Sequence, residues 1–497
     1  MSTIVTRTNK GFPLTWVEMD NNLNNLNYGS YISVKDTAYG AKGDNVTDDT
    51  AACQAAINAV AAAGGGIVYF PRGSYSISSL NITGNNVTLV GSNRASYINS
   101  NDNLNDVIYI PDNINGTQIK DLGFSTKTGA VRTNHTFIVA LGTETSVINC
   151  KFVYGNNGIY FGSASSKCLV DNCSFINFDN NNTGSVIRIS STGSNFIINN
   201  CFMDNISSAV GPSAGIRIDS GLYITISNCN IYNCYYGLYI NNTSSDPVHS
   251  LHCSNSIFNY SNTGICILPV TPGNTYRCHF VNCTTSYNTS KGVRLTGLQG
   301  YLYGICFTDI QANMNTNTGI SIEGGQTADL VFNGGQAAGN GTGFTADATA
   351  SGFYLRHFHA SSWGGLSGNT HGIYIASGAA QYEVSNCVVK SNASTQFVDD
   401  SKFGRVFRNY SVVGVKTYNS GTGSITIGST TTTITHGLNN IPNPGEINIT
   451  PTIALSNNGL YLVQGSIGAT TFQVASLITV AGSNFTFSWS ASCQNDY

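Results

Sequence analysis

Along residues 147–322 apolar and polar positions alternate in short bursts, with no helical step between them. Ile224-Thr225-Ile226-Ser227, Asn230-Ile231-Tyr232 and Gly237-Leu238-Tyr239-Ile240 are separated by Asn, Gly and Ser, which predicts short strands joined by tight turns. Two phrases recur. Asn-Cys stands at Asn149-Cys150, Asn172-Cys173, Asn200-Cys201, Asn228-Cys229 and Asn282-Cys283, and a Gly-Ile-x-Ile-like phrase begins at Gly158, Gly215, Gly237, Gly264, Gly292 and Gly319. Cys173 to Cys201 is 28 residues, Cys201 to Cys229 is 28, and Gly237 to Gly264 is 27. A fixed period of this length marks stacked structural repeats. Parallel strands without helical crossovers leave one solution, a coil that pairs with the turn below it. The expected class is all-β: a single-stranded parallel β-helix, right-handed by the general crossover rule.

The register says which residues stack. Asn149, Asn172, Asn200, Asn228, Asn255 and Asn282 hold one position, predicted to be a corner in the left-handed conformation with a ladder of side-chain amides. The cysteines after them should point inward. So should Phe152, Phe175, Met203, Ile231 and Phe258 two residues further on, by the period-2 alternation of a strand.

Residues 34–80 read differently. Thr47 or Asp48 can cap a helix through Ala51, Ala55, Ala56 and Val60 that Gly64-Gly65-Gly66 ends. A helix here would close the open end of the coil, where an unpaired strand invites aggregation. From residue 413 the period is lost. Thr430 to Thr433, Pro442 to Gly445 and alternating strands such as Phe485 to Trp489 predict an antiparallel β-sandwich. The expected organisation is 1–30 an adaptor with a short amphipathic helix (Trp16, Met19, Leu23, Leu26), 31–105 the cap, 106–412 the β-helix and 413–497 the sandwich.

Composition narrows the function classes. Only 9% of the 497 residues are charged and the net charge is −3, so no basic stripe serves a nucleic acid. A polar, nearly neutral surface suits a neutral or weakly acidic glycan. The 14 cysteines include no Cys-x-x-Cys, so zinc has no cysteine spacing to use; no metal or cofactor is expected, a three-His site at His357, His359 and His371 being the weak alternative. Ladder thiols behave as small buried apolar residues. Residues 1–13 lack the apolar core of a secretory signal, and no run of apolar residues is long enough for membrane insertion.

Tyr39-Gly40-Ala41-Lys42-Gly43-Asp44, Thr47-Asp48-Asp49-Thr50, Gln54, Ala56-Ile57, Gly65-Gly66 and Phe70-Pro71-Arg72-Gly73-x-Tyr75 closely resemble the opening signature of the pectate-lyase-like β-helix superfamily. Thr6-Arg7, Lys10-Gly11-x-Pro13-Leu14-Thr15 and Glu18-x-Asp20-x-Asn22 resemble the N-termini of phage tail fibre and tailspike proteins. The resemblance covers about the first eighty residues. It implies a tailspike that binds and depolymerises bacterial surface polysaccharide (capsule, exopolysaccharide or O-antigen) by glycosidic bond cleavage. It further implies a protein made in the host cytoplasm and carried on the virion, attached to the tail or baseplate through its N-terminus; residues 413–497 resemble C-terminal modules of tail fibres, which implies a homotrimer. A receptor-binding fibre without catalysis and a polysaccharide lyase are the alternatives. The Asn-Thr-Asp and Gly-His-Gly motifs of polygalacturonases are absent.

Coil arithmetic locates a candidate site. The usual gap of eight residues from Cys to the next Gly phrase swells to 11 from Cys173 to Gly184 and 14 from Cys201 to Gly215. The return gap then swells after Ile240 and Ile267. Insertions on a solenoid usually mark its binding face. Between them lies an expected floor of Arg188, Arg217, Asp219, Tyr239 and Arg294, in which Tyr would stack on sugar and Arg grip carboxylates or hydroxyls. Glycoside hydrolysis takes two carboxyls, so Asp219 is the expected centre, with Asp204, Asp246 or Asp179 as its second. Asp219 could equally be the ion-pair partner of Arg188 or Arg217. A second candidate groups Arg356, His357, His359, Trp363 and His371, with Trp363 for sugar stacking and His359 in an inward register.

Overall fold

The computed structural model describes residues 13, 31–101, 106–126, 135–179, 184–207, 213–362, 367–401, 404–407, 409–411 and most of 418–492. The adaptor expected in residues 1–30 lies outside the described residues, Pro13 apart. The chain divides into two compact units, residues 1–261 and 262–497.

In the first unit each coil carries up to three strands. The first follows the Asn corner, as in Lys151–Val153, Ser174–Asp179, Phe202–Ser207, Asn230–Tyr232 and Ile257–Asn259; these belong to a nine-stranded parallel sheet. The second is the Gly-Ile strand, as in Asn157–Ser163 and Tyr236–Ile240, and the third leads to the next corner, as in Cys168–Asp171 and Val248–Ser254. In two adjacent coils second and third strands merge into Ser185–Asn199 and Ala214–Ser227. Register is kept from coil to coil, for example Phe152↔Phe175↔Met203↔Ile231↔Phe258. All five side chains are fully buried, and Phe124, Phe152 and Phe175 stack with ring centres 4.7 and 4.6 Å apart.

The corner asparagines all adopt the left-handed conformation, with φ of 53, 51, 53 and 53° at Asn149, Asn172, Asn200 and Asn228. Each donates its backbone N–H to the coil above, Asn172 to the Asn199 carbonyl and Asn200 to the Ser227 carbonyl, both at 3.1 Å. The amide ladder is less uniform than the sequence suggested. Asn172 Nδ2 donates to Asn149 Oδ1, but Asn200 reaches Asp171 and Asn228 reaches Asn199. The residue before the corner points outward too and offers a competing acceptor. Cys150, Cys173, Cys201 and Cys229 lie in file behind these corners, buried and free.

The recurrent glycine has a steric cause. A Cβ at Gly158 would stand 2.4 Å from the Val186 carbonyl oxygen of the next coil. In the second unit Gly292, Gly319 and Gly343 would each strike the carbonyl of their successor at 2.6–2.7 Å.

The helix Thr50–Ala62 buries Cys53, Ala56, Ile57 and Val60. Its N-cap position is Asp49, whose side chain makes no cap bond. That carboxylate turns back to accept from the Lys42 and Gly43 N–H groups at 2.6 and 2.9 Å, while Asp48 accepts from Thr50 N. Gln54 brackets Asn81, accepting from its N–H and donating to its carbonyl, each at 2.8 Å. Gly64, Gly65 and Gly66 end the helix at positive φ.

The second unit continues the same construction through Thr263–Ile267, Lys291–Tyr303, Thr318–Ala328, Thr342–Ala346, His371–Ile375 and Thr395–Asp399, which pair in succession. Its interior holds a file of buried amides in which Asn288 donates to Asn315, Asn315 to Asn340, Asn340 to Asn369 and Asn369 to Asn392. From Tyr418 on, two three-stranded antiparallel sheets share one apolar core around Phe472, Phe487 and Trp489, as the alternation there predicted.

Candidate functional site

The second strands of the first unit present one outward position per coil. Pairing runs Tyr160↔Arg188, Arg188↔Arg217 and Arg217↔Tyr239, so adjacent residues of this row stand about 4.8 Å apart. Two residues beyond Arg217, Asp219 reaches back into it. Its Oδ2 accepts from Arg188 Nε at 2.6 Å and its Oδ1 from Arg217 Nε at 2.7 Å. Charge-assisted bonds of this length are the strong ones. The Asp219 side chain is 5% exposed, Arg217 12% and Arg188 41%. Each guanidinium also lies over a tyrosine, Arg188 5.4 Å from the ring centre of Tyr160 and Arg217 5.7 Å from that of Tyr239, within cation–π range.

The structure thus brings Arg188, Arg217, Asp219 and Tyr239 together and adds Tyr160. Sequence reasoning passed over Tyr160, although it stands two residues into the phrase beginning at Gly158. Tyr239 is buried, packed on Tyr236 with ring centres 4.4 Å apart, so it supports Arg217 and offers no face to a sugar. Both oxygens of Asp219 are engaged by guanidiniums, which fits holding the arginines in place better than moving a proton.

Two of the other candidate residues, Asp204 and Asp179, stand on a different sheet. Asp204 is on the first-strand sheet, opposite Ile176, and accepts from Asn233 Nδ2 at 2.7 Å. Asp246 sits exposed in the turn between Tyr236–Ile240 and Val248–Ser254; no hydrogen bond involves its carboxylate among the described residues. Asp179 pairs with Ser207 on the first-strand sheet.

In the second unit Arg294 belongs to a similar cluster: Arg294 Nε donates to Glu323 Oε2 at 2.8 Å, Lys291 binds Oε1 and Ser321 Oγ donates to Oε1 at 3.1 Å. Burial alone would raise the Glu323 carboxyl, but Lys291 and Arg294 outweigh it and hold it below the ordinary carboxylate range.

The histidine group does not assemble. Arg356 pairs with Glu383 at 2.7 Å over Tyr354, His357 faces Asn333 and His371 faces Thr395. His359, expected to point inward, is only partly buried, because Phe358 and Ala360 on either side take the inward positions. Trp363 lies outside the described residues.

A feature that sequence reasoning missed is an aromatic stripe along the first-strand sheet: Phe202 and Tyr232 on it and Tyr260 just past the strand Ile257–Asn259, with ring centres 6.0 and 6.3 Å apart. Its signal was aromatic residues at outward positions of successive coils. Among the described residues no helix is long and apolar enough to cross a membrane.

Residues 31–266 match the family described as rhamnogalacturonase A/epimerase, pectate lyase-like. Mannuronan C5-epimerase AlgE5 of Azotobacter vinelandii is 63% identical over 46 residues, 9% of this chain and 4% of the relative, so the chain spans a small fraction of the curated relatives it matches. Among solved structures, the A-module of A. vinelandii mannuronan C-5 epimerase AlgE4 superposes with a TM-score of 0.55 at 15% identity, covering 77% of this chain and 100% of that one. The tailspike of E. coli bacteriophage HK620 in complex with a pentasaccharide superposes with a TM-score of 0.59 at 12% identity, covering 95% and 94%. At these identities the likeness is one of fold. The capping signature, the family match over residues 31–266 and the coils themselves agree on the fold, a parallel β-helix like those of the pectate-lyase-like proteins.

Proposed function

We propose that the chain is a phage tailspike whose coils recognise a bacterial surface polysaccharide and cleave its glycosidic bonds. The observation that carries recognition is the outward row in which Asp219 clasps Arg188 and Arg217 while Tyr160 and Tyr239 support them. Such a row is rigid before ligand arrives, which lowers the ordering cost of binding. The HK620 tailspike, which shares the fold, is described with a pentasaccharide, and the curated relatives are named for action on mannuronan or alginate. Cleavage takes two carboxyls, and Asp246, in an exposed turn one coil beyond Asp219, is proposed as one of them. Assembly as a homotrimer and attachment through residues 1–30 belong to the same proposal.

A second reading, recognition without cleavage, is favoured by one observation: both oxygens of the carboxylate nearest the arginines are already engaged. Incubation with purified capsular and O-antigen polysaccharides, followed by sizing and a reducing-end assay, separates the two. Shortened chains with new reducing ends support hydrolysis, and an unsaturated-uronate absorbance would indicate a lyase. Polymer that is bound but unchanged in length establishes the second reading. If cleavage occurs, Asp246→Asn should abolish it; undiminished turnover would remove Asp246 from the mechanism.

A further inference from the structure

Taking the polysaccharide-binding reading as its basis, we infer that Arg188 and Arg217 form a receptor for a sugar carboxylate, so that the polymer recognised is one with acidic repeat units. Each guanidinium gives its Nε–H to Asp219. Among the described residues the Nη groups of both have no hydrogen-bond partner. Two guanidiniums one strand spacing apart, each oriented by the same carboxylate, present a fork suited to a planar anion.

The charge count points the same way. Within the cluster itself two cations face one carboxylate, in a chain of net charge −3. What the site exposes is guanidinium, since Arg188 is 41% exposed whereas Tyr239 is buried. A neutral sugar would require open aromatic faces and hydroxyl acceptors here. Here Tyr239 is covered, Tyr160 has Arg188 over its ring, and both Asp219 oxygens are engaged. Asp219 is therefore a positioning residue: it fixes the plane of each guanidinium and itself stays under them.

The test uses the full chain and a panel of purified bacterial polysaccharides, acidic and neutral. Each acidic polymer is used as isolated and after reduction of its carboxyls to alcohols. Binding to acidic polymers should weaken about ten- to hundredfold on carboxyl reduction, the loss expected for a charged hydrogen-bond partner, and should weaken with added salt. Arg188→Gln should reduce the preference for the unreduced polymer, Arg188→Lys should restore part of it, and Asp219→Asn should lower it. The polymer-side comparison needs no variant and stands even if one fails to fold. Equal affinity for unreduced and reduced polymer, or binding confined to neutral polymers, overturns the inference and leaves the polysaccharide-binding reading intact. Failure to bind any polymer overturns that reading and the inference with it.

Discussion

A thiol sealed inside a coil keeps its proton to higher pH than one in water, because burial penalises the thiolate. Burial pushes Cys168 and Cys387 up to about 12, against an ordinary thiol value near 9. Raised in the folded state, these groups contribute stability that is complete below the ordinary value and is lost as pH climbs toward the folded one. Each costs about 1.4 kcal/mol per pH unit in that window. Thermal melts should hold steady at pH 7–8 and fall above about pH 9; a melting temperature that stays level to pH 11 would contradict the burial of these two thiols. Glu323 acts with the opposite sign. Its carboxyl is held low by Lys291 and Arg294, so the stability it contributes is present above the ordinary Glu range and is lost as pH falls through its folded value. Replacing Glu323 by Gln should reduce the loss of melting temperature between neutral pH and about pH 3, near the bottom of the carboxylate range.

At the scale of the coil, corners and glycines set the register. Asn200 sits at φ 53°, which Gly adopts freely and a β-branched residue does not. Asn200→Gly should cost less than about 1 kcal/mol, mainly through loss of its bond to Asp171, and Asn200→Val about 1–3 kcal/mol; denaturant midpoints decide, and equal costs would mean that backbone conformation does not matter at this corner. Phe175→Ala, which opens the stacked aromatic file, should cost about 3–5 kcal/mol. Much of this architecture was legible in the sequence. The period, the Asn corners, the inward Cys and Phe rows and the antiparallel end all follow from alternation and spacing, because each coil repeats one steric problem. The candidate site was less legible. Spacing placed Arg188, Arg217 and Asp219 on one strand register, but it did not show that Asp204, fifteen residues before Asp219, lies across a corner on another sheet. Nor did it show that Tyr236 covers Tyr239, or that Phe358 and Ala360 leave His359 outside. Those outcomes depend on how neighbouring side chains share a surface, which a one-dimensional period does not encode.

For the whole molecule, the proposal of a tailspike carries a prediction about assembly. Sedimentation equilibrium should give three times the chain mass, and a monomer at micromolar concentration would remove the trimer from the proposal. The surface offers a ligand two separate rows in the first unit, the Arg188–Arg217 pair on the second strands and the Phe202–Tyr232–Tyr260 stripe along the first-strand sheet. They differ in chemistry, guanidinium against open aromatic, and so predict different sugars. The most direct test is a crystal structure of the full chain soaked with an oligosaccharide cut from a polymer it binds. The account predicts a sugar carboxylate within hydrogen-bond distance of the Nη groups of Arg188 and Arg217, with Asp219 still clasping both Nε atoms. An oligosaccharide lying instead along Phe202, Tyr232 and Tyr260, with the arginines untouched, would contradict it.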